Sequence, residues 1–172
     1  MGVFCHTLLL GDGSMKKSPW KTYLFWILLS VGVGALSGWV SRDGMQLYQQ
    51  SISKPPLSPP AVVFPIVWSI LFVLMGIGAA RVSLAPPSQA RSWGLNLFVI
   101  QLAVNFLWSP IFFNAQAFGL AFLWLILLLG LVLGMILLFR KVDTPAAWLQ
   151  IPYLLWLAFA GYLNLGVWYL NK

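Results

Sequence analysis

The sequence predicts an all-α integral membrane protein, a bundle of five transmembrane helices. Three observations predict it. The 172-residue chain is 60% apolar and only 8% charged, with a mean hydropathy of +0.88, whereas a soluble domain carries about 25% charged residues. The apolar residues gather into five runs, each close to the roughly 20 residues that cross a hydrocarbon core of about 30 Å. The ten Lys and Arg residues sit at the ends of those runs. Flanking charge of that kind is a topology signal, so the net charge of +7 is not read as a nucleic-acid interface.

Residues 1–22 read as an N-terminal extension and residues 23–172 as the transmembrane domain. Met15-Lys16-Lys17 offers a second possible start. Lys16, Lys17 and Lys21 before an apolar run resemble a signal-peptide flank, but no clean cleavage context follows and the run is long for one. It is therefore taken as a retained helix. The spans are Tyr23–Val40, Val62–Val82, Leu95–Phe113, Gly119–Phe139 and Trp148–Leu170. Asn114–Phe118 joins the third and fourth spans so tightly that they form an antiparallel hairpin, and a Pro86-Pro87 loop joins the second and third.

The first connection, residues 41–61, is much longer, and long connections in compact proteins are often functional. Its second half holds Pro55, Pro56, Pro59 and Pro60. Prolines so dense exclude a helix interior and push their neighbours towards extended backbone, so residues 54–60 are expected to form a stiff, extended rope. The whole connection is expected to act as a lid over one end of the bundle. Pro65 fits the following helix only near its first turn.

Five spans place Lys16, Lys17, Lys21, Arg81, Arg91, Arg140 and Lys141 on one side and Arg42, Lys54 and Lys172 on the other. In a bacterial inner membrane this asymmetry puts the N-terminus in the cytoplasm. The localisation expected is a multi-pass protein of a bacterial membrane, inner or outer left open.

Amides inside a span must face protein or a cavity. Gln101, Asn105 and Ser109 recur at i+4, one stripe of the third helix, with Trp108 and Phe112 alongside. Phe64, Trp68 and Phe72 form an aromatic stripe on the second helix. Pro152, Trp156, Ala160, Asn164 and Trp168 form a third stripe on the fifth. Each stripe alone is ordinary helix packing. Together, large flat rings with few polar groups suit a large, flat, apolar ligand. Of the ten tryptophans, Trp20, Trp26, Trp39, Trp93, Trp148 and Trp168 fall near membrane boundaries, where an aromatic belt accounts for them. Gly34–Gly38 and Gly130–Gly134 are GxxxG pairs that bring helices together within the bundle or between chains.

Catalytic constellations are missing. The acids are Asp12, Asp43 and Asp143, without a single Glu. His6 and Cys5 are the only residues of their kinds, so neither a metal site nor an intrachain disulfide is expected. Axial haem ligation by histidine has no support, which leaves Met or Tyr as candidates.

Three ordered blocks carry a family resemblance. They are Lys54–Pro60 with Phe64-Pro65-Ile66-Val67-Trp68, then Gln101–Phe113 with its Asn105 and Trp108, then Pro152–Asn164 with its Trp156, Phe159 and Tyr162. They resemble the signature blocks of the tryptophan-rich sensory protein and mitochondrial translocator protein family, over roughly residues 20–172 and all five spans. The resemblance implies a five-helix bundle, usually a homodimer, that binds porphyrins such as protoporphyrin IX, haem or sterols in some members, and synthetic isoquinolines or benzodiazepines. No cofactor is required; porphyrin is the ligand. The pocket implied lies among the helices beneath the first loop. Trp68, Phe72, Asn105, Trp108, Trp156 and Ala160 match its wall, and a larger side chain at Ala160 would intrude. Tyr48 matches the tyrosine of a loop Trp-Tyr pair. Its neighbour is Leu47, where many relatives have Trp, a departure that weighs against the light-dependent porphyrin degradation ascribed to some members.

The function expected is therefore a membrane receptor or transporter-like protein for tetrapyrroles. The alternatives are a light-dependent porphyrin-degrading enzyme using Trp68 and Trp156, and a scaffold for membrane partners. Leu165, Tyr169 and Lys172 fit a loose sterol-recognition pattern, although a Trp-Tyr interfacial anchor explains the same residues.

Overall fold

The structure, a computed structural model, describes residues 18–172. Expectations for residues 1–17 of the extension, with Cys5, His6, Asp12, Lys16 and Lys17, fall outside that range. Five helical segments are long and apolar enough to cross a membrane: Pro19–Val40, Val63–Leu84, Gln89–Asn114, Phe118–Val142 and Thr144–Leu170.

The elements are α1 (Pro19–Val40), α2 (Arg42–Ser51), α3 (Val63–Leu84), α4 (Gln89–Ser109), a π-turn (Pro110–Asn114), α5 (Phe118–Val142), α6 (Thr144–Trp148) and α7 (Ile151–Leu170). Helix α1 begins at Pro19, earlier than the expected Tyr23, because proline is pre-organised for a first turn. Trp26 consequently lies two turns inside and packs edge-on against Phe98 at 5.4 Å. Helix α4 starts at Gln89, where Ser88 caps it by accepting the Arg91 N–H at 3.1 Å. Pro65 lies in the first turn of α3.

Two spans are broken where a proline removes a backbone donor. Pro110 cannot donate to the Phe106 carbonyl, and α4 relaxes into the π-turn there. The freed carbonyl accepts the Ser37 hydroxyl of α1 at 2.9 Å instead, as a lipid environment demands. The fifth span, expected as one helix from Trp148, is divided into α6 and α7 ahead of Pro152.

The first connection departs most from expectation. Half of it is helix α2. The proline rope is also not extended throughout. It turns at Pro56-Leu57, where the Ser58 N–H reaches the Pro55 carbonyl and Leu57 holds φ 65°. Leucine in that left-handed region costs about 1–2 kcal/mol, so neighbouring contacts must hold the turn.

Helix α1 packs on α3 and α4, α4 on α5, and α5 on α7, while α3 touches α7 only thinly. The spans thus close in the cyclic order first, second, fifth, fourth, third. Far from the first connection the packing is tight. Gly76 backs onto the Ile27 backbone, Gly78 onto Gln150, and Gly94 onto Phe139. Met75, Ala79, Ala80, Val82, Met135 and Ala146 are fully buried around them. Of the two GxxxG pairs, Gly34 packs against Phe72 and Gly134 touches Leu97, while Gly38 and Gly130 face open space.

Candidate ligand site in the loop half of the bundle

Helix α3 runs away from the first connection and α4 runs towards it. Phe64, Trp68 and Phe72 in the first half of α3 therefore share the loop half of the bundle with Asn105 and Trp108 near the end of α4. The hub of this half is Tyr153 of α7, fully buried. Its hydroxyl donates to Gln101 Oε1 at 2.9 Å and accepts from Asn105 Nδ2 at 2.8 Å. The stripe read from α4 is thus half of a network whose other half is a phenol. Tyr153 was not among the predicted site residues. The available signal was a phenol just inside an apolar span, which needs a partner there.

Rings fill the thin seam between α3 and α7. Trp68 stacks on Phe72 at 5.5 Å and meets Tyr153 edge-on at 6.1 Å, and Phe64 meets Trp156 at 6.0 Å. Gly34 of α1 leaves room for the Phe72 ring, which a Cβ would overlap. Trp68 and Asn105 therefore meet Tyr153 directly and Phe72 through the Trp68 ring, while Trp156, one turn further along α7, meets Phe64 and Phe159. Ala160 follows one turn after Trp156 on α7 and is half-buried.

Trp108 and Tyr48 belong to a neighbouring cluster. Trp108 stacks on Phe112 at 5.0 Å, and Tyr48 packs against Phe112 at 5.4 Å and Phe113 at 5.3 Å. Among the described residues no ring pair joins Trp108 or Tyr48 to Trp68 or Trp156. Burial raises the Tyr48 phenol above its ordinary value of 10.0, so it stays neutral. Gly44 lets α2 seat directly on the Phe113 backbone.

The first connection is clasped to the end of α7. Asn171 acts like a strand partner: its Oδ1 accepts the Ser53 N–H at 3.0 Å and its Nδ2 donates to the Ser53 carbonyl at 2.9 Å. The Tyr162 hydroxyl donates to the Pro56 carbonyl at 2.9 Å, and Pro55 packs where a Cβ of residue 166 would stand, 2.6 Å away. Lys54 lies over the Tyr48 ring at 5.3 Å.

Inside, several polar atoms have no partner. Trp108 Nε1, Trp156 Nε1 and Gln101 Nε2 are buried without an acceptor among the described residues. An unsatisfied buried donor costs about 1–3 kcal/mol. The two indole donors stand in different ring clusters, Trp156 beside Phe64 and Trp108 beside Phe112, and each offers an N–H to an acceptor group on a flat molecule.

Leu165, Tyr169 and Lys172 lie elsewhere, on the outer face of α7. With Tyr162, Gly166 and Trp168 they line a groove of about 380 Å³. Lys172 rests over the Trp168 ring at 5.2 Å and the Tyr169 ring at 5.6 Å.

The profile of the TspO/MBR family matches residues 26–170. The chain is 42% identical to the protein CrtK of Rhodobacter capsulatus over 72% of its own length and 78% of that protein's. It is 35% identical to the translocator protein of Ovis aries over 90% and 92% of the two chains. It is 32% identical to the tryptophan-rich sensory protein of Cereibacter sphaeroides over 88% and 92%. With five membrane-spanning segments and a match over nearly all of them, the chain belongs to the TspO/MBR family of integral membrane proteins.

Proposed function

We propose that this protein binds a tetrapyrrole, protoporphyrin IX or haem, in the loop half of the bundle, as a receptor or transporter-like protein. The observation that carries the reading is that two buried indole N–H groups, Trp156 Nε1 beside Phe64 and Trp108 Nε1 beside Phe112, one in each ring cluster, are left without acceptors among the described residues. A porphyrin offers what such a lining lacks: a broad flat face for Trp68 and Phe72, and carboxylates as acceptors. Ala160, one turn after Trp156 on α7, is the small residue of the same wall. The clasped first connection closes the end, and ligand exchange requires it to open. The names of relatives, translocator and sensory protein, fit a role in moving or sensing such a ligand.

A second reading concerns sterols. The groove at Leu165, Tyr169 and Lys172 combines an apolar wall with a terminal cation, and it supports sterol contact on the outer face, independently of the interior site.

The test is a titration of the purified protein with protoporphyrin IX in the dark, followed by tryptophan fluorescence and repeated under light with absorbance spectra. Saturable quenching with an unchanged porphyrin spectrum in light is the result expected. A new absorbing product that needs light and Trp68 or Trp156 would move the protein to the enzyme alternative. No saturable quenching would favour the scaffold.

A further inference from the structure

The opposite end of the bundle carries a cavity unrelated to the aromatic site. It measures about 400 Å³ and lies between the start of α1 and the end of α3, lined by Ser18, Lys21, Thr22, Phe25, Trp26 and Ser83. Its lining divides by chemistry. Hydroxyls and an ammonium group stand at the helix ends, and two aromatic rings stand one turn further in. Arg91 of α4 reaches the same place: its Nη2 donates to the Ser83 carbonyl at 2.8 Å, while its Nε is buried without an acceptor among the described residues.

Charge at this end is strongly one-sided. Lys21, Arg81, Arg91, Arg140 and Lys141 gather here, against the single carboxylate of Asp143. Arg81 already holds Asp143 through two hydrogen bonds of 3.1 and 3.0 Å. Among the described residues Lys21 and Arg91 have no carboxylate within ion-pair distance. Lys21 rests over the Trp20 ring at 5.6 Å, at the start of the first span.

We infer that this groove is a binding site for an anionic phospholipid. Its phosphate is held between Lys21 and Arg91 with hydroxyl donors from Ser18 and Thr22, and its glycerol and first acyl carbons lie on Phe25 and Trp26. The helix ends stand where a bilayer presents its headgroups. A sterol would leave the two cations unmatched, and a zwitterionic lipid would bring its own positive charge to them.

The test uses the full-length chain in detergent, titrated with phosphatidylglycerol or phosphatidylcholine of identical acyl chains and observed as intact lipid complexes by native mass spectrometry. The first phosphatidylglycerol is expected to bind at least about fivefold more tightly than phosphatidylcholine, the scale of one cation meeting an anionic headgroup. Lys21→Gln, an exposed change, should abolish most of that preference. Arg140→Gln, which removes a charge at the same end but outside the groove, should preserve it. Equal binding of the two lipids overturns the site, as does a preference that survives Lys21→Gln. Equal losses from both variants would mean a general basic field and would also overturn it.

Discussion

The two halves of this bundle are built on opposite rules. Away from the first connection, small residues let helix backbones meet: Gly76 against Ile27, Gly78 against Gln150, and fully buried Ala79 and Ala80 beside them. That end is tied off by the Arg81–Asp143 pair, and Asp143 also caps α6 by accepting the Ala146 N–H at 2.8 Å. In the loop half, rings separate α3 from α7, a phenol links amides across the interior, and indole donors go unpaired. Where backbones meet, as at Gly76 and Ile27, no guest fits between the helices and dispersion contacts are gained. Ring-filled seams give up some of that contact; unpartnered polar atoms occur in both halves, Gln150 Oε1 and Arg91 Nε in the first and the indole donors among rings in the second. On the proposed function, the first half supplies stability and the second holds the site.

The sharpest way to break this contrast is to overfill the tight half. Gly76→Leu would place a Cβ 2.6 Å from the Ile27 backbone. It should lower stability by about 3 kcal/mol or more, read as the thermal midpoint in detergent, and porphyrin affinity of whatever remains folded should be unchanged. Ala160→Phe should do the reverse. It should weaken protoporphyrin binding at least about tenfold, equivalent to about 1.4 kcal/mol, with an unshifted midpoint. Unchanged affinity in a folded Ala160→Phe protein would remove this pocket from consideration. The third change addresses the clasp alone. Asn171→Ala removes both bonds to Ser53 and should raise association and dissociation rates together, by about three- to tenfold at roughly 1 kcal/mol for the lost pair, leaving the dissociation constant nearly constant. Stopped-flow quenching measures both rates, and hydrogen exchange at the Ser53 amide reports the opening even without ligand.

The sequence announced the spans because hydropathy is a sum over many residues and tolerates local exceptions. The hairpin at Asn114–Phe118 followed from chain length alone. Helix α2 was not legible: Arg42–Ser51 is polar, short and contains Gly44, and its stability comes from Tyr48 and Gly44 seating on the π-turn. Its spacing of Met45, Tyr48 and Ile52 was the available hint. The turn at Leu57 was hidden because glycine, the usual mark of positive φ, is absent there. The expected third span ran through Pro110 unbroken, although a proline inside a helix removes a backbone donor, and only the structure shows Ser37 taking over the Phe106 carbonyl. The candidate lining was read as stripes on single helices. That reading put Trp108 in one wall with Trp68, Phe72, Asn105 and Trp156, and its ring partners in the structure are Phe112 and Phe113; helix periodicity says which face a residue occupies and not which neighbour it meets. Asn171 escaped notice for the same reason, since its partner Ser53 lies far away in the chain.

The most direct test of the central claim, that unpaired indole donors in the ring-filled half receive the ligand, is dark titration of protoporphyrin IX against Trp156→Phe and Trp108→Phe. Each change keeps an aromatic ring and removes one N–H. The account predicts saturable binding in both, weakened about fivefold or more by the loss of one buried hydrogen bond, with no fall in thermal midpoint because an unsatisfied donor has gone. Affinity equal to that of the unaltered protein in both variants would contradict it.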